Sequence, residues 1–462
     1  MKTSLIWTLS TLLSASAWAQ RPVRDTPKNV LLVILDDYGA ISSEAYADIW
    51  NASRYASTPH FDAICRSGVR FERAWSNPTC SPTRANILTG RHSFRNGVGV
   101  PCQAGVDNIK PDEVTIPRLL AERAPEFATA NIGKWHLGHT DDVDGLNAPN
   151  FMGWQHFAGL LANTEEIEND YYFLWPRTVN GAESISTTYS TTQYVDDAIA
   201  FLNARDAGQP FFLWQAFFAP HTPFHVPPDA LHTRIDLDEE SSNIDKFEAM
   251  VQAADTELGR LLSSLPDTDA DGLPDETLVI VMGDNGTVDN QGVMPEPYAS
   301  QELAGKGKLS EHGVRIPLCV AGPGVVGGRS VDDLVQATDL LATTFDMLEI
   351  DTEGSSKAID SHSFAHVLRD VDGTSRTFLF TEQFDQVDPT PFLEYGIALR
   401  NQRYRYVRTQ NRNRGFREEC FEIEADVFEQ RGLDLDRCDD LRTVGLELIC
   451  SEANGPWQRW CD

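Results

Sequence analysis

Val30-Leu31-Leu32-Val33-Ile34-Leu35 is an unbroken apolar run that ends at once in Asp36-Asp37. A strand covered on both faces, as inside a parallel sheet, has this continuous pattern instead of the alternation of a half-exposed strand. Leu278-Val279-Ile280-Val281-Met282 repeats it and leads into Gly283-Asp284-Asn285-Gly286. Phe127-Ala128-Thr129-Ala130-Asn131-Ile132 and Phe211-Phe212-Leu213-Trp214-Gln215-Ala216-Phe217-Phe218 add two more buried strands. Helical apolar spacing over 195–205, 246–265 and 334–348 supplies helices for the two faces. The chain is therefore predicted to be α/β, a large mixed and mostly parallel sheet flanked by helices. In open α/β sheets ligands bind beyond the carboxyl ends of the strands, which makes Asp36, Asp37, Asp284 and Asn285 site candidates. Taken singly, Asp-Asp after a strand has the form of a helix cap and Gly-Asp-Asn-Gly that of a turn. If the two ends meet, their clustered oxygens suit a hard cation, Ca²⁺ or Mg²⁺, far better than zinc.

The flanks of this core set its context. Lys2, the apolar run over 5–13 and Ala17-Trp18-Ala19 form the pattern of a signal peptide over 1–19. That run is too short and too interrupted by Ser and Thr to span a membrane, and no later segment is a candidate. The 462 residues hold 38 Lys and Arg against 69 Asp and Glu, a net charge of -31, which excludes nucleic acid as a partner and fits an exported, periplasmic or secreted protein. A polyanionic chain would be repelled at long range by that charge, whereas a small ligand would not. Four of the eight cysteines, Cys420, Cys438, Cys450 and Cys461, cluster near the end and are expected to form two disulfides, with all three pairings open. Cys65, Cys102 and Cys319 are left unassigned. From 355 onward, Phe378-Leu379-Phe380, Ile397-Ala398-Leu399 and Tyr404-Arg405-Tyr406-Val407 predict an antiparallel subdomain. The organisation expected is a catalytic α/β domain over 20–354 and a C-terminal α+β subdomain over 355–462.

Chemistry concentrates in Cys80-Ser81-Pro82-Thr83-Arg84, a C-x-P-x-R motif. Pro82 lies just inside a helix start capped near Ser81 or Cys80, where unpaired N–H groups and the helix dipole favour negative charge, and Arg84 adds a guanidinium one turn on. Gly133-Lys134-Trp135-His136-Leu137-Gly138 and Ala219-Pro220-His221 bring basic side chains to the ends of two further strands, and Gly305-Lys306-Gly307-Lys308 precedes Glu311-His312-Gly313-Val314-Arg315-Ile316-Pro317. Converging cations of this kind suit an anionic substrate.

In this order the motifs resemble those of the type I, formylglycine-dependent sulfatases of the alkaline phosphatase superfamily. The resemblance implies a sulfuric ester hydrolase whose nucleophile is formylglycine made from Cys80 by a formylglycine-generating enzyme. It places metal ligands on Asp36, Asp37, Asp284, Asn285 and the modified Cys80, with Ca²⁺ as the expected ion and Mg²⁺ as the alternative. Sulfate binding falls on Arg84, Lys134, His221 and Lys306. In the implied reaction the hydrated aldehyde attacks sulfur, His221 assisted by Lys306 protonates the departing alcohol, and His136 takes the proton whose loss expels sulfate. The expected substrate is a sulfated saccharide or aryl alcohol. A phosphonate or phosphate-diester hydrolase using the same nucleophile is the alternative, and a silent carbohydrate-binding relative the third reading. His312 departs from the family, which often has glycine there, and its side chain is expected to reshape the nearby loop.

Other features are read more plainly. Asp267-Thr268-Asp269-Ala270-Asp271-Gly272-Leu273-Pro274-Asp275 alternates carboxylates like a calcium loop, yet lacks the bidentate Glu at its usual place, so an acidic surface loop is expected. Trp154, His156, Tyr171, Tyr172, Trp175, Phe224 and His225 are candidates for a sugar or aryl platform or, equally, for loop core. The basic stretch over 400–417 is expected to be a solvated hairpin face.

Overall fold

The computed structural model describes residues 26–103, 108–138, 145–163, 171–298, 305–354, 357, 359–384, 395–411, 415–426, 428–452 and 457–461. The expected signal peptide lies outside them, and the expected domain boundary falls where 355, 356 and 358 also do. Ten strands form the main sheet: β1 (Asn29–Leu35), β2 (Val69–Trp75), β3 (Ala128–Lys134), β4 (His156–Leu160), β5 (Trp175–Val179), β6 (Ala182–Ser186), β7 (Phe211–Phe217), β8 (Thr277–Gly283), β9 (Leu318–Ala321) and β10 (Arg329–Gln336). Their spatial order is β10-β2-β9-β8-β1-β7-β3-β4-β5-β6. The central block from β8 to β4 is parallel throughout, and β9, β5 and β6 run antiparallel to their neighbours.

All seven residues of β1, β3, β7 and β8 are buried, as the continuous apolar runs require. One face packs on the helices Pro59–Ser67, Ser190–Ala204 and Asn243–Leu262, and the other on Cys80–Thr89, Ile116–Arg123 and Asp339–Met347. The helix expected over 334–348 divides: Leu334, Val335 and Gln336 finish β10, and the helix starts at Asp339. A short apolar run fits either element. Here Asp339 decides it by accepting the Gln336 N–H at 3.0 Å, which turns the chain between them.

A separate antiparallel sheet follows, β11 (Leu379–Gln383), β12 (Tyr395–Arg400), β13 (Tyr404–Asn411) and β14 (Gly415–Glu422), in that order. One face meets the main domain through Trp75, Leu309, Val314 and Leu334, and the other is covered by the helix Asp439–Cys450 and Trp457. Cys420 pairs with Cys438 and Cys450 with Cys461, which resolves the three possible pairings. Cys65 pairs with Cys319, tying the helix Pro59–Ser67 to β9. The basic stretch is not a solvated face. Arg403 and Arg417 are exposed, but Arg400 and Arg405 are each 1% exposed and enter the interface between the sheets, because Glu311 and Glu429 wait there as partners.

Candidate active site

Four adjacent parallel strands deliver their next residues to one edge. β1 registers Leu35 against Phe217 of β7 and Gly283 of β8, so Asp36-Asp37, the Phe218 to His221 segment and Asp284-Asn285 emerge side by side. β3 lies beyond β7 and ends at Lys134. Asp37 and His136 both have left-handed backbones, φ 62° and 54°, a conformation side-chain-bearing residues rarely adopt and one that aims each back over the edge. The helix Cys80–Thr89 brings its first residue to the same place. Its N-cap is Thr79, one residue earlier than expected, and every one of its residues is buried.

The geometry is dense. Cys80 Sγ lies 3.2 Å from His136 Nδ1. Arg84 donates to Asp284 Oδ2 at 2.8 Å, to Asp36 Oδ2 at 3.1 Å and to the Lys134 carbonyl at 2.8 Å. Lys134 Nζ sits 2.5 Å from Asp36 Oδ2, over the face of Phe218. Lys306 Nζ is 2.6 Å from Asp37 Oδ1, and His221 Nε2 is 3.8 Å from Asp37 Oδ2. His221 Nδ1 lies 2.8 Å from the Thr222 carbonyl, so the hydrogen is on Nδ1 and Nε2 faces the site. Asp36, Asp284, Arg84 and Lys134 are wholly buried, whereas the side chains of His221 and Lys306 are 12% and 17% exposed. The mouth therefore opens beside these two.

Burial and charge pull the ionisations in opposite directions. Burial alone would raise Asp36, but Lys134, His221, Arg84 and Lys306 outweigh it and hold this carboxyl far below its ordinary range. Burial and the Asp36 charge push its neighbour Asp284 up to about 6. Burial raises the Cys80 thiol against Lys134 and Lys306, and burial with Lys134 keeps His136 neutral. The proton between them thus stays on sulfur, and Nδ1 accepts a hydrogen bond from the S–H. Burial, then Lys306 and Lys134, bring His221 down to about 4.

The residues fit a hard divalent cation. Asp36, Asp37 and His221 each offer a ligand atom within 4.8 Å of the others. Asp36 Oδ1 and Asn285 Oδ1 are buried acceptors that take no hydrogen bond from any described residue, and a buried unpaired oxygen is costly unless something positive faces it. Asp284 is more committed: its Oδ1 accepts the Asp37 N–H at 3.0 Å and its Oδ2 faces Arg84.

The sulfatase family profile matches residues 28–350, a span that contains every side chain just placed at this edge. The chain belongs to the sulfatase family. It is similar to the N-acetylgalactosamine-6-sulfatase of Canis lupus familiaris, 29% identical over 371 residues, covering 74% of this chain and 66% of that protein. The chain spans about two thirds of the length of the curated relatives it matches. Among solved structures it resembles Ps i-CgsB in complex with k-i-k-neocarrahexaose, at 22% identity and a TM-score of 0.71 over 95% of this chain and 93% of that one. A second structure, holding D-glucosamine-2-N,6-O-disulfate as its substrate, gives 18% identity and a TM-score of 0.70 over 92% and 97%. At these identities the two structures speak for the fold.

Within this sulfatase fold Asp36, Asp37, Cys80, Arg84, Lys134, His136, His221, Asp284, Asn285 and Lys306 gather at one edge. His312 does not join them. Its ring packs 5.2 Å from both Trp50 and Tyr298, and its side chain is part of the core. The seven platform candidates divide. Trp154 and Trp175 are core residues, Phe224 packs on Phe247, and His156 stacks on Phe201. Tyr172 is core as well, and with buried Tyr189 it backs the more open Tyr171, Phe173 and His225 in an aromatic wall that reaches Phe218 and His221. Phe218 was missed as a site residue. Its signal was its place between β7 and Ala219-Pro220-His221, where an apolar strand end must turn into the site.

Proposed function

We propose that the chain hydrolyses sulfate esters of saccharides, with formylglycine derived from Cys80 as nucleophile. The observation that carries this is the buried Cys80 lying 3.2 Å from His136 among the cations Arg84, Lys134 and Lys306. A thiol held protonated there is a poor nucleophile, which speaks for its oxidation to the aldehyde, whose hydrate carries two hydroxyls. His136 Nδ1 is placed to take a proton from the side chain of residue 80. At the mouth, Lys306 and His221 face an incoming ester, Lys306 binding its oxygens and assisting His221 Nε2 in protonating the leaving alcohol. The anion entering between the lysines offsets the two charges that depress His221, so its proton affinity rises when substrate binds. Arg84 is spent on Asp36 and Asp284, and its service to the anion is to fix those carboxylates.

Asp36, Asp37, Asn285 and Asp284 would hold Ca²⁺, or Mg²⁺ in its place, with residue 80 adjoining. The ion would supply Lewis-acid polarisation of the oxygens around it. The saccharide class draws on the sulfated sugars named for the relatives and on the aromatic wall beside His221, which suits the apolar face of a ring. Three disulfides support export to an oxidising compartment, periplasmic or secreted, after removal of 1–19, and among the described residues no helix is long and apolar enough to cross a membrane. We assign 20–354 to the catalytic domain and 355–462 to the C-terminal subdomain.

The test is sulfate release from sulfated monosaccharides and an aryl sulfate by protein coexpressed with a formylglycine-generating enzyme, alongside the peptide mass at residue 80. Release with the aldehyde present is expected. An active enzyme with an unmodified thiol would reject the nucleophile, and faster turnover of a phosphate diester would favour the alternative hydrolase.

A further inference from the structure

The short turn Glu311–Val314 leans on three segments that carry site residues. The Gly313 carbonyl accepts the N–H of Gly286, next to Asn285, at 2.9 Å, and the Val314 carbonyl accepts the N–H of Ser76, on the approach to Cys80, at 2.8 Å. A Cβ on Gly313 would lie 2.1 Å from the Lys308 carbonyl oxygen and 2.6 Å from that of Gly305, so the Lys306 loop is seated on the bare Cα of this glycine. Gly307 N–H donates to the Pro78 carbonyl at 2.8 Å and closes the arrangement.

The turn is fixed partly from its own domain, where Arg315 lies 3.7 Å from Glu311 Oε2, and partly from the C-terminal region. Both carboxylate oxygens of the wholly buried Glu311 accept from Arg400 at 2.9 Å, and one also accepts from Trp75 Nε1 at 3.2 Å. Glu311 N–H donates to Glu429 Oε1 at 2.9 Å, and Glu429 Oε2 meets Arg405 at 2.6 Å. Arg400 and Arg405 are directly paired across β12 and β13. Buried ion pairs of this kind are often no more stable than apolar residues of the same volume, so stability is a weak account of them, whereas directional hydrogen bonds fix a position.

Resting on the sulfatase reading, we propose that Arg400, acting through Glu311, is a positioning residue for Lys306. The C-terminal sheet thereby sets where the Lys306 ammonium stands relative to residue 80. A displacement of about 1 Å in such a group can cost on the order of 100-fold in rate.

The experiment measures kcat on a sugar sulfate and an aryl sulfate, with Tm, for wild type, Arg400→Lys and Arg400→Met, each also in a Lys306→Ala background. Arg400→Met is expected to lose about 100-fold on the sugar sulfate and clearly less on the aryl sulfate, whose alcohol departs with little help. Arg400→Lys keeps the charge but not the position of Nη1, the one nitrogen that donates to both Glu311 oxygens, and should recover about half of that loss on a logarithmic scale. In the Lys306→Ala background the further loss should fall below about threefold, because coupled residues do not add. Unchanged kcat with a lowered Tm, or equal losses with and without Lys306, would overturn the proposal. Should Arg400→Met not fold, Arg400→Lys with and without Lys306 decides by the same criterion. A wild type inactive on both esters would instead overturn the sulfatase reading and the proposal with it.

Discussion

Among the described residues two acidic clusters bring three potential ligand atoms within 4.8 Å of one another, Asp36 with Asp37 and His221, and Asp267 with Asp269 and Asp275. Their surroundings differ in kind. The second is a surface loop whose carboxylates accept its own backbone: Asp275 takes the Thr268 N–H at 2.7 Å and Asp267 the Gly272 N–H at 2.9 Å. The first has both carboxylates buried, is ringed by Arg84, Lys134 and Lys306, and leaves Asp36 Oδ1 and the neighbouring Asn285 Oδ1 without a donor among the described residues. Carboxylates that close a turn need nothing further, whereas carboxylates held ionised in a dry edge need positive charge and can act on a substrate.

The sharpest way to break this contrast is to remove side chains at each cluster and measure sulfate release. Cys80→Ala should cost about 10⁶-fold, the scale at which a lost nucleophile leaves only residual catalysis. Asp36→Ala should approach that loss, and Asp267→Asn with Asp275→Asn should leave kcat within about twofold. Loop variants that abolish turnover would show that proximity of carboxylates, not burial, marks the functional cluster.

Chelation tests the same contrast without mutation. Dialysis against a chelator should abolish turnover, and Ca²⁺ or Mg²⁺ should restore it in preference to zinc, since the buried cluster is oxygen-rich. At 100 times its dissociation constant the ion should add about 2.7 kcal/mol to folding stability, read as a rise in Tm that Asp36→Ala loses and the loop variants keep. Full turnover in metal-free protein would remove the cation from the account.

Next in size is a separation of the histidines. His221→Ala should cost about 10²- to 10⁴-fold on sugar sulfates and far less on aryl sulfates. His136→Ala should permit one transfer and then stall with sulfate bound covalently at residue 80. Rapid-quench bursts and peptide mass report both. A His221 penalty indifferent to leaving group, or steady His136→Ala turnover with no trapped sulfate, would reverse these assignments.

How far the sequence carried this picture depends on the kind of signal. The central strands were legible because burial on both faces writes an unbroken apolar run, and the edge was legible because each run stops at a polar cluster. Leu334-Val335-Gln336 was misread as helix, since three residues ending a strand hold no period of their own. Arg400 and Arg405 were misread as solvated, because the partners that bury them lie in Glu311 and in Glu429, distant along the chain. Cys65 and Cys319 could not be paired from spacing, being 254 residues apart. The double arginine pairing and the third disulfide are both contacts between elements, which local pattern does not encode.

The smallest expected effect concerns a carboxylate that has burial without the cations. Glu382 is buried on β11 and accepts from Phe94 N–H and Trp457 Nε1, each at 2.9 Å. Burial pushes it up from 4.5 to about 8, against those two donors and the distant Arg95, with Asp360 adding to the rise. Because the folded value lies above the unfolded one, the folded state holds the proton more tightly through this window. The stabilisation is complete below about pH 4.5 and is lost as pH climbs through about 8. Asp36 has the opposite sign: held low by its cations, it contributes stability that disappears only in acid. In urea unfolding between pH 5 and 9, Glu382→Gln, which cannot ionise, should therefore lose on the order of 2 kcal/mol less stability than wild type. Glutamine sets an amide N–H against one of the two donors, so absolute stability will drop and the slope is the quantity to compare. An unchanged slope in Glu382→Gln would mean that this carboxyl ionises normally despite its burial, and that cations are not what separates Asp36 from it.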